Sequence, residues 1–319
     1  MPLPSPTISA IFVTWNRRDL LLSAIASLVG QQYPLLEIVV VDNASTDDTE
    51  AALAALPFPV RYLRNDRNVG ASVGRNQGVR VSGGELLLFM DSDAELVTQS
   101  GLLTLAKRLT ENETFAGISG VFYSDRNMAK LWCWSPCMDS EGFHDPRASL
   151  APKEDIPVLS TCFALLRRDV FYRVGGFDPF FFYLYEDADL SARIRALGYR
   201  LLVEPSVHIL HHYADPGRIT RDRIQYHRYH ERLRLYYLLK INGIRPWACS
   251  VWGLLGHPRR TRARFPYLPW GQFLEVYAWQ PFLQLLALPS LRTRRRRDWI
   301  AQSPSPLRTD VVGGVSHGS

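Results

Sequence analysis

The chain of 319 residues lacks several patterns that would place it in common protein classes. Its four cysteines show no paired zinc spacing, so neither a zinc-binding module nor a disulfide scaffold is indicated. The N-terminal stretch has neither a basic segment nor an apolar run, and no signal peptide is readable there. These absences favour a reduced, cytoplasmic setting.

Two phosphate-binding patterns are also missing. The chain has no Gly-x-x-x-x-Gly-Lys-Ser/Thr sequence, and no Gly-x-Gly-x-x-Gly follows the first predicted strand. The stretch after that strand, Thr14-Trp-Asn-Arg-Arg, contains no glycine at all. The sequence therefore argues against a P-loop protein and against a dinucleotide-binding protein. It also argues against a nucleotidyltransferase, which would need a Gly-rich basic loop after the first strand.

An apolar content of 46% and a charged content of 21% are those of an ordinary folded protein. Apolar strands and amphipathic helices alternate through the first third of the chain with short connections. This order predicts an α/β fold with a doubly wound, mostly parallel sheet flanked by helices. The predicted strands are 8–14, 37–42, 60–63 and 85–91, and the predicted helices are 19–29, 50–56 and 71–81.

The pattern is less regular after residue 93. We expect further strands at 116–122, 158–166 and 200–203, and helices at 102–109, 168–174, 186–197 and 221–241. The connection 123–157 is long and polar and contains Trp132, as functional loops often do.

Two aspartates close the buried strand 85–91. Asp91 and Asp93 are separated by one serine at the carboxyl end of the strand, where open α/β sheets bind ligands. Close carboxylates repel each other unless a cation lies between them, so the pair predicts a divalent-metal clamp. The alternative is that both acids merely end the strand and cap the next helix.

Other polar residues end neighbouring strands. Asp42 follows the second strand and could accept the imide N–H of a uracil or thymine, while Trp15, between Thr14 and Asn16, offers a ring for stacking a base. As alternatives, Asp42 forms a turn and Trp15 is a core aromatic. Arg75 stands in the early turns of helix 71–81, where it could pair with a diphosphate or with a carboxylate.

Acidic residues also open the helix 186–197, just after an aromatic stretch that includes Phe182. Asp187 would be partly buried by this stretch and could act as general base for a hydroxyl, although capping is the simpler role. Asp189 and Arg193 are most simply a surface ion pair.

Three histidines follow the strand 200–203, and one of them could complete an oxygen-rich metal site. The residues alone do not choose among His208, His211 and His212.

Taken together and in order, these pieces resemble the family 2 glycosyltransferases of GT-A fold, especially the rhamnosyltransferase-like branch. The resemblance covers residues 8–212, about two thirds of the chain. The matching pieces are Val13-Thr-Trp-Asn16, Val39-Val-Val-Asp42-Asn-Ala-Ser-Thr-Asp47, Asn68-Val-Gly70, Gly74-Arg75-Asn76-x-Gly78, Phe89-Met-Asp91-Ser-Asp93, Gly175-Gly-Phe-Asp178 and Glu186-Asp187-x-Asp189-Leu190.

The resemblance implies transfer of a sugar, with inversion, from a nucleoside diphosphate sugar to a saccharide or lipid-linked hydroxyl in cell-surface polysaccharide synthesis. A dTDP-rhamnose or UDP-sugar donor is favoured. Asp42 and Asp91 would face the nucleoside, Asp93 and His211 would hold Mg2+ or Mn2+, and Asp187 would be the catalytic base. One departure is His230-Glu231, which stands where the family often has Arg-Asn.

The same resemblance implies a domain at 1–212, with a nucleotide-sugar half at 7–105 and an acceptor half at 106–212. Further acceptor or secondary candidates are Glu186, Asp189, Trp132 and Phe182.

The C-terminal third is expected to be a helical, basic extension at 213–299, followed by a disordered tail at 300–319. The net charge of +6 is concentrated there, with ten arginines between Arg245 and Trp299. The stretch 270–291 is apolar but broken by polar residues and prolines, which suits an interfacial segment on an anionic inner membrane surface better than a span. A packed helix with a solvated basic tail is the alternative.

The basic end could also belong to a nucleic-acid-binding protein. That hypothesis leaves Asp91, Asp93 and Asp187 unexplained, so no nucleic-acid partner is expected.

Overall fold

A computed structural model of the protein describes residues 5–31, 33–34, 36–133, 154–212, 223–241, 243, 269–279, 299–306 and 308–314. The chain divides into two compact units. The described residues up to 212 and from 299 onwards belong to the first, and those between 223 and 279 belong to the second.

The first unit is an α/β structure built on one sheet. Its strands are β1 (Ile8–Thr14), β2 (Leu36–Asp42), β3 (Val60–Arg64), β4 (Leu86–Asp91), β5 (Ala94–Leu96), β6 (Phe115–Tyr123), β7 (Leu131–Cys133), β8 (Phe163–Arg167), β9 (Arg200–His211) and β10 (Arg308–Val312). Its helices are α1 (Arg18–Val29), α2 (Thr49–Ala54), α3 (Ala71–Val81), α4 (Gly101–Thr110), α5 (Arg168–Arg173) and α6 (Glu186–Ala196), together with a short C-terminal helix at Trp299–Gln302.

The sheet order is β10-β3-β2-β1-β4-β8-β6-β9-β5, with β7 paired to β6. The four strands β3, β2, β1 and β4 are parallel, as the sequence predicts. Beyond β4 the sheet is mixed, because β8 runs antiparallel to both β4 and β6 while β9 is parallel to β6. The α/β prediction is therefore correct, and the parallel arrangement holds for the N-terminal half of the sheet.

Two elements of the mixed half differ from the sequence prediction. β9 continues to His211 instead of ending at residue 203, and it passes a register irregularity opposite β6 between Val203 and His208. That irregular stretch contains Glu204, Pro205 and Ser206, and its polar residues hide the strand from pattern analysis. β5 is three residues long and gives no periodic signal.

Apolar side chains cover both faces of the sheet. In β1, Ile8, Ala10 and Phe12 belong to one buried cluster and Ile11 to the other. On the second face α3 lies very close to β1, since a Cβ atom at Gly78 would come within 2.6 Å of Ile11. This close approach brings the polar residues of α3 down onto the strand ends.

The expectation of a disordered tail at 300–319 is wrong for the residues that the structure describes. The short helix Trp299–Gln302 packs Ile300, which is 2% exposed, into the second cluster. β10 then pairs antiparallel with the edge strand β3. The sequence of β10, Arg-Thr-Asp-Val-Val, is mostly exposed and lacks an apolar alternation, so pattern analysis does not detect it.

The second unit is helical in the part that the structure describes. It contains α7 (Arg223–Ile241) and α8 (Trp270–Leu274), which continues as a π-helical turn at Glu275–Trp279. Glu231 and Arg234 form a fully buried ion pair on α7. Within the described helices of both units, none combines the length and apolarity that a membrane crossing requires.

We predict that the tail contributes to the stability of the first unit. Ile300→Ala should lower the free energy of unfolding by about 2–4 kcal/mol, because it leaves a cavity under a side chain that is 2% exposed. Urea denaturation measures this loss. Val311→Ala is the matched control, since Val311 in the same tail is 64% exposed and should change stability by less than about 0.5 kcal/mol. An unchanged midpoint for Ile300→Ala would show that the tail is not docked.

Candidate functional site

The acidic pair after β4 faces a histidine from β9. Asp91 is the last residue of β4, and Asp93 stands directly before β5. β5 pairs antiparallel with the end of β9, which places His211 opposite Ala94. Nε2 of His211 lies 3.6 Å from Oδ1 of Asp93 and 3.9 Å from Oδ2 of Asp91. The three residues therefore surround one small space.

The two neighbouring histidines have other contacts. The ring of His208 packs edge-on against Tyr123, with 5.2 Å between ring centroids. Nε2 of His212 lies 2.6 Å from Oε1 of Glu95. Of these three histidines, His211 is the one whose ring lies beside Asp91 and Asp93.

These side chains fit a divalent cation. A cation bound at about 2.0–2.1 Å to each of two ligands holds those ligands at most about 4 Å apart, and the His211–carboxylate distances fall within this limit. Carboxylate oxygens with one imidazole suit Mn2+ and tolerate Mg2+. Burial disfavours charge on His211, but the two carboxylates outweigh it and raise the pKa of the ring. Positive charge is therefore stabilised at this point.

Arg17 also contacts the acidic pair, and sequence reasoning missed it. Its Nη1 donates to Oδ2 of Asp93 at 2.9 Å, and the carboxylate is 5% exposed. Arg17 lies just after β1 in the stretch that contains Trp15. A single basic residue in a loop gives no sequence pattern, and Arg17 reaches Asp93 only because the ends of β1 and β4 are adjacent in the fold.

Arg75 of α3 is buried beneath the site. Its Nη2 donates to Oδ1 of Asp91 at 2.8 Å, and its Nη1 donates to Oε1 of Glu186 at 3.0 Å and to Oγ1 of Thr161 at 2.9 Å. Burial disfavours the charged form of Asp91, but the nearby His211 ring and the Arg75 guanidinium outweigh it and hold the pKa of Asp91 well below the ordinary value. Of the two partners that the sequence leaves open for Arg75, the structure shows carboxylates.

Glu186 and Asp187 begin α6. Asp187 is half-buried, and its Oδ1 accepts the backbone N–H of Ala188 at 2.7 Å. Burial, aided by the charge of Glu186, raises the pKa of Asp187 to about 7. Oε2 of Glu186 is buried and has no hydrogen-bond partner among the described residues. The helix start therefore presents one carboxyl group that gains and loses a proton near neutrality.

Asp189 has a structural position instead. The prediction of a surface ion pair with Arg193 is correct in its partner and wrong in its location, because the Asp189 side chain is fully buried. Arg193 also donates to the carbonyl of Val174 at 2.6 Å, and its guanidinium lies 4.8 Å from the ring centroid of Trp299. Asp189 stands on the core-facing side of the first turn of α6, which turns this acid inward.

Asp42 ends β2 in a closed arrangement. Its carboxylate has no exposed surface. Oδ2 accepts hydrogen bonds from the Tyr62 hydroxyl at 2.6 Å and from Nη1 of Arg64 at 2.7 Å, and Oδ1 accepts the N–H of Ser45 at 2.8 Å. Because the carboxylate is fully buried, a nucleobase contact at Asp42 requires the residues that cover it to move aside.

The residues that follow β1 lie next to Asp42, since Thr14 is its partner in the register of β1 and β2. Thr14 is 2% exposed, and its hydroxyl has no hydrogen-bond partner within the described ranges. Asn16 adopts a left-handed conformation, with φ of 53°, and its Oδ1 accepts the N–H of Thr46 at 2.7 Å. Trp15 between them is partly buried.

Cys162 is a second residue that sequence reasoning missed. It precedes β8, and its carbonyl accepts the N–H of Asp91 at 2.8 Å. The sulfur belongs to a group with Asp91 and His211 in which all three ligand atoms lie within 4.8 Å of one another. Burial and the charge of Asp91 raise the pKa of the thiol. A single cysteine at the start of an apolar run gives no signal of these neighbours.

The remaining acceptor candidates are placed only in part. The carbonyl of Phe182 accepts the N–H of Ala71, and its ring leaves no room for a side chain at Gly70, so Phe182 packs on the start of α3. Trp132 lies in β7. Residues 134–153 of the predicted acceptor loop lie outside the described residues.

Comparison with solved structures shows that the fold is of GT-A type. The mannosyltransferase PcManGT of Pyrobaculum calidifontis, solved with GDP-Man and Mn2+, superposes with a TM-score of 0.57 at 19% identity, covering 95% of this chain and 86% of that one. GalNAc-T7, solved with UDP, GalNAc and Mn2+, gives a TM-score of 0.52 at 16% identity, covering 86% of this chain and 57% of that one.

Comparison with curated proteins finds relatives in polysaccharide synthesis. The succinoglycan biosynthesis protein ExoO of Rhizobium meliloti is 27% identical over 235 residues, 68% of this chain and 63% of that protein. The GalNAc(5)-diNAcBac-PP-undecaprenol beta-1,3-glucosyltransferase of Campylobacter jejuni is 34% identical over 119 residues, 36% of this chain and 38% of that enzyme. The aligned region thus spans less than two thirds of either relative.

The family model for glycosyl transferase family 2 matches residues 9–175, which is more than half of the chain and includes Asp42, Arg75, Asp91 and Asp93. The chain belongs to glycosyl transferase family 2.

Proposed function

We propose that the protein transfers a sugar from a nucleoside diphosphate sugar to an acceptor hydroxyl, with inversion and with the help of Mg2+ or Mn2+. The observation that carries the proposal is the meeting of Asp91, Asp93 and His211 in one space, joined through Arg75 to the helix start that bears Asp187. Family membership supports it, and so do the two structural neighbours, which were solved with a nucleotide or nucleotide sugar and Mn2+.

In this proposal Asp93 and His211 hold the cation, and Asp91 contributes Oδ2 to the same space or contacts the ribose. The bound cation would neutralise the charge that develops on the departing diphosphate. Arg17 holds Asp93 in place, and Arg75 holds Asp91 in place and lowers its pKa. Arg75 thus acts on the donor through Asp91 and is a positioning residue.

Asp187 is proposed as the catalytic base. It accepts the proton of the acceptor hydroxyl while that oxygen attacks the anomeric carbon from the side opposite the leaving diphosphate. A base is most effective when its pKa lies near the working pH, and the pKa of about 7 at Asp187 meets this condition. The neighbouring Oε2 of Glu186 is free to accept a second hydroxyl of a sugar.

For the donor we favour dTDP-rhamnose or a UDP-sugar, with the base near Thr14, Trp15, Asn16 and Asp42. Thr14 has a buried hydroxyl without a partner among the described residues, which suits a hydrogen bond to the nucleoside. For the acceptor we favour a saccharide or a lipid-linked saccharide of cell-surface polysaccharide synthesis. The names of the two curated relatives, one of which acts on an undecaprenol-linked chain, support this choice.

The second unit is proposed to contact the inner face of the cell membrane. Trp270 and Leu274 are one helical turn apart on α8 and are 50% and 48% exposed. Arginines follow at Arg292 and at 294–297 of the sequence. Exposed aromatic and aliphatic side chains with nearby basic residues favour an anionic lipid surface.

The first test measures donor hydrolysis and donor binding across dTDP-, UDP- and GDP-sugars, with Mn2+, with Mg2+ and with chelator. We expect one nucleotide class to be hydrolysed, and chelator to abolish turnover. Asp93→Asn should lower kcat/KM at least about a hundredfold, because it removes a charged ligand at the developing diphosphate charge. Glu113→Gln, which changes an exposed acid, is the control and should keep the wild-type rate. Hydrolysis that survives both chelator and Asp93→Asn would contradict the metal assignment.

The second test compares two aspartates on α6. Asp187→Asn should lower kcat about 10²–10⁴-fold by removing the base. At pH 8 it should leave the melting temperature unchanged or higher, since the raised pKa means that the ionised carboxylate is disfavoured in the folded protein and the amide avoids this cost.

Asp189→Asn, in contrast, should destabilise the folded protein. Breaking its buried pair with Arg193 should lower the free energy of unfolding by about 3–5 kcal/mol. Differential scanning fluorimetry and steady-state kinetics separate the two outcomes. Near-normal transfer by Asp187→Asn, with unchanged donor binding, would show that another group is the base.

The third test is flotation of the purified chain with lipid vesicles. We expect co-flotation with anionic vesicles and loss of binding with zwitterionic vesicles or at high salt. Trp270→Ser with Leu274→Ser should weaken binding, whereas Val97→Ser, at a site of the first unit that is 47% exposed, should not. Equal flotation of the wild-type protein and both variants would show that Trp270 and Leu274 do not contact the lipid.

A further inference from the structure

Cys162 gives the site a chemical character that carboxylates and histidine alone do not have. The carboxylate of Asp91, the sulfur of Cys162 and a ring nitrogen of His211 all lie within 4.8 Å of one another. Neighbouring strands fix this arrangement, since the N–H of Asp91 donates to the carbonyl of Cys162 across β4 and the start of β8. Cys162 is a free cysteine and is partly exposed, so a dissolved ion can reach it.

We propose that Asp91, Cys162 and His211 form a binding site for a thiophilic divalent cation, Zn2+ or Cd2+, and that occupation of this site inhibits the transferase. The inhibition rests on the proposed function, because it acts on residues assigned there to the donor and its cation. The binding itself does not depend on that function.

The ligand set favours such an ion. Zinc in proteins is bound by thiolate, imidazole and carboxylate at about 2.0–2.3 Å in tetrahedral geometry, so its ligand atoms stand about 3.3–3.8 Å apart. The three atoms here lie within 4.8 Å of one another, and side-chain shifts on the order of 1 Å bring them to that spacing. Sulfur is a poor ligand for Mg2+ and Mn2+ and a good one for Zn2+. The thiol therefore discriminates between the two kinds of cation.

His211 and Asp91 would then be shared between two ligand sets. Toward Asp93 they form the oxygen-rich set, and toward Cys162 they form the sulfur-containing set. Oδ1 of Asp91 is held by Arg75, which leaves Oδ2 for either cation. When Zn2+ binds, the Cys162 thiol releases its proton to solvent and the thiolate becomes a ligand. Zn2+ at this position removes two ligands from Mn2+.

The binding test is a Cd2+ titration of the full-length purified chain without donor or acceptor. Cadmium–thiolate coordination produces an ultraviolet charge-transfer band, and we expect this band to saturate at one Cd2+ per chain. Cys162→Ser should abolish the band and weaken Zn2+ binding in calorimetry at least about tenfold. Cys249→Ser, which removes another of the four cysteines, should retain both signals. A band that persists in Cys162→Ser, or disappears in Cys249→Ser, overturns the assignment.

A measurement on the wild-type protein avoids any folding defect of the variant. Iodoacetamide labelling followed by peptide mapping reports the reactivity of each cysteine. We expect Zn2+ to protect Cys162 and an equal concentration of Mg2+ to leave it reactive. Equal labelling of Cys162 with Zn2+ and with Mg2+ would overturn the proposal.

The inhibition test compares each protein with its own Mn2+-supported rate. Zn2+ should inhibit the wild-type protein, rising Mn2+ should relieve the inhibition, and the inhibition constant should increase at least about tenfold in Cys162→Ser. Transfer that is equally Zn2+-sensitive in both proteins overturns the inhibition and leaves the proposed function intact. A saturating cadmium band in a chain that hydrolyses no donor overturns the proposed function and leaves the metal site intact.

Discussion

One buried guanidinium makes the acidic site possible. Arg75 lies between Asp91 and Glu186 and donates to both, while Arg17 holds Asp93 from the other side. Without these cations the carboxylates would repel one another, and burial would favour their neutral forms. The structure therefore keeps Asp91 ionised while the acid that follows Glu186 titrates near neutrality. An ionised Asp91 and an Asp187 that is ready to accept a proton coexist in one site, because Arg75 contacts Asp91 directly while burial and the charge of Glu186 raise the pKa of Asp187.

The position of Arg75 depends in turn on the packing of α3. Gly74 and Gly78 bring this helix so close to β1 that added Cβ atoms would lie 2.9 Å from Val13 and 2.6 Å from Ile11. Because α3 lies this close to β1, the guanidinium of Arg75 reaches Asp91 at the end of β4. Larger residues at the two glycines would lift the helix and carry the charge away from its partners. The spacing of two small residues thus determines the electrostatics of the site.

The sequence predicts the N-terminal half of the fold well because its signals are local. Buried parallel strands read as continuous apolar runs, and β1, β2, β3 and β4 lie where these runs place them. The acids at 91, 93 and 187 are predictable for the same reason, since each stands at the end of a recognisable element. The mixed half is harder to predict, because β5 is very short and β9 passes through an irregularity.

Residues defined by distant contacts escape prediction altogether. The contact of Arg17 with Asp93 exists only because β1 and β4 are neighbours in the sheet. Cys162 likewise joins the site only because the start of β8 lies against Asp91. Asp189 shows the reverse problem, because its correct partner suggested a surface position that the core-facing turn of α6 excludes. Pattern analysis recognises which residues are acidic or apolar, while the fold decides which of them share a space.

The pairing of β10 with β3 has a consequence for synthesis of the chain. Arg308 contacts Glu50, 258 positions earlier, so the sheet edge at β3 is completed by residues that leave the ribosome only after the whole second unit. Until then β3 presents an uncovered row of backbone donors and acceptors to other nascent chains. The polypeptide must keep this edge out of aggregates while the whole second unit is translated, so the pairing of β10 with β3 is a late step of folding.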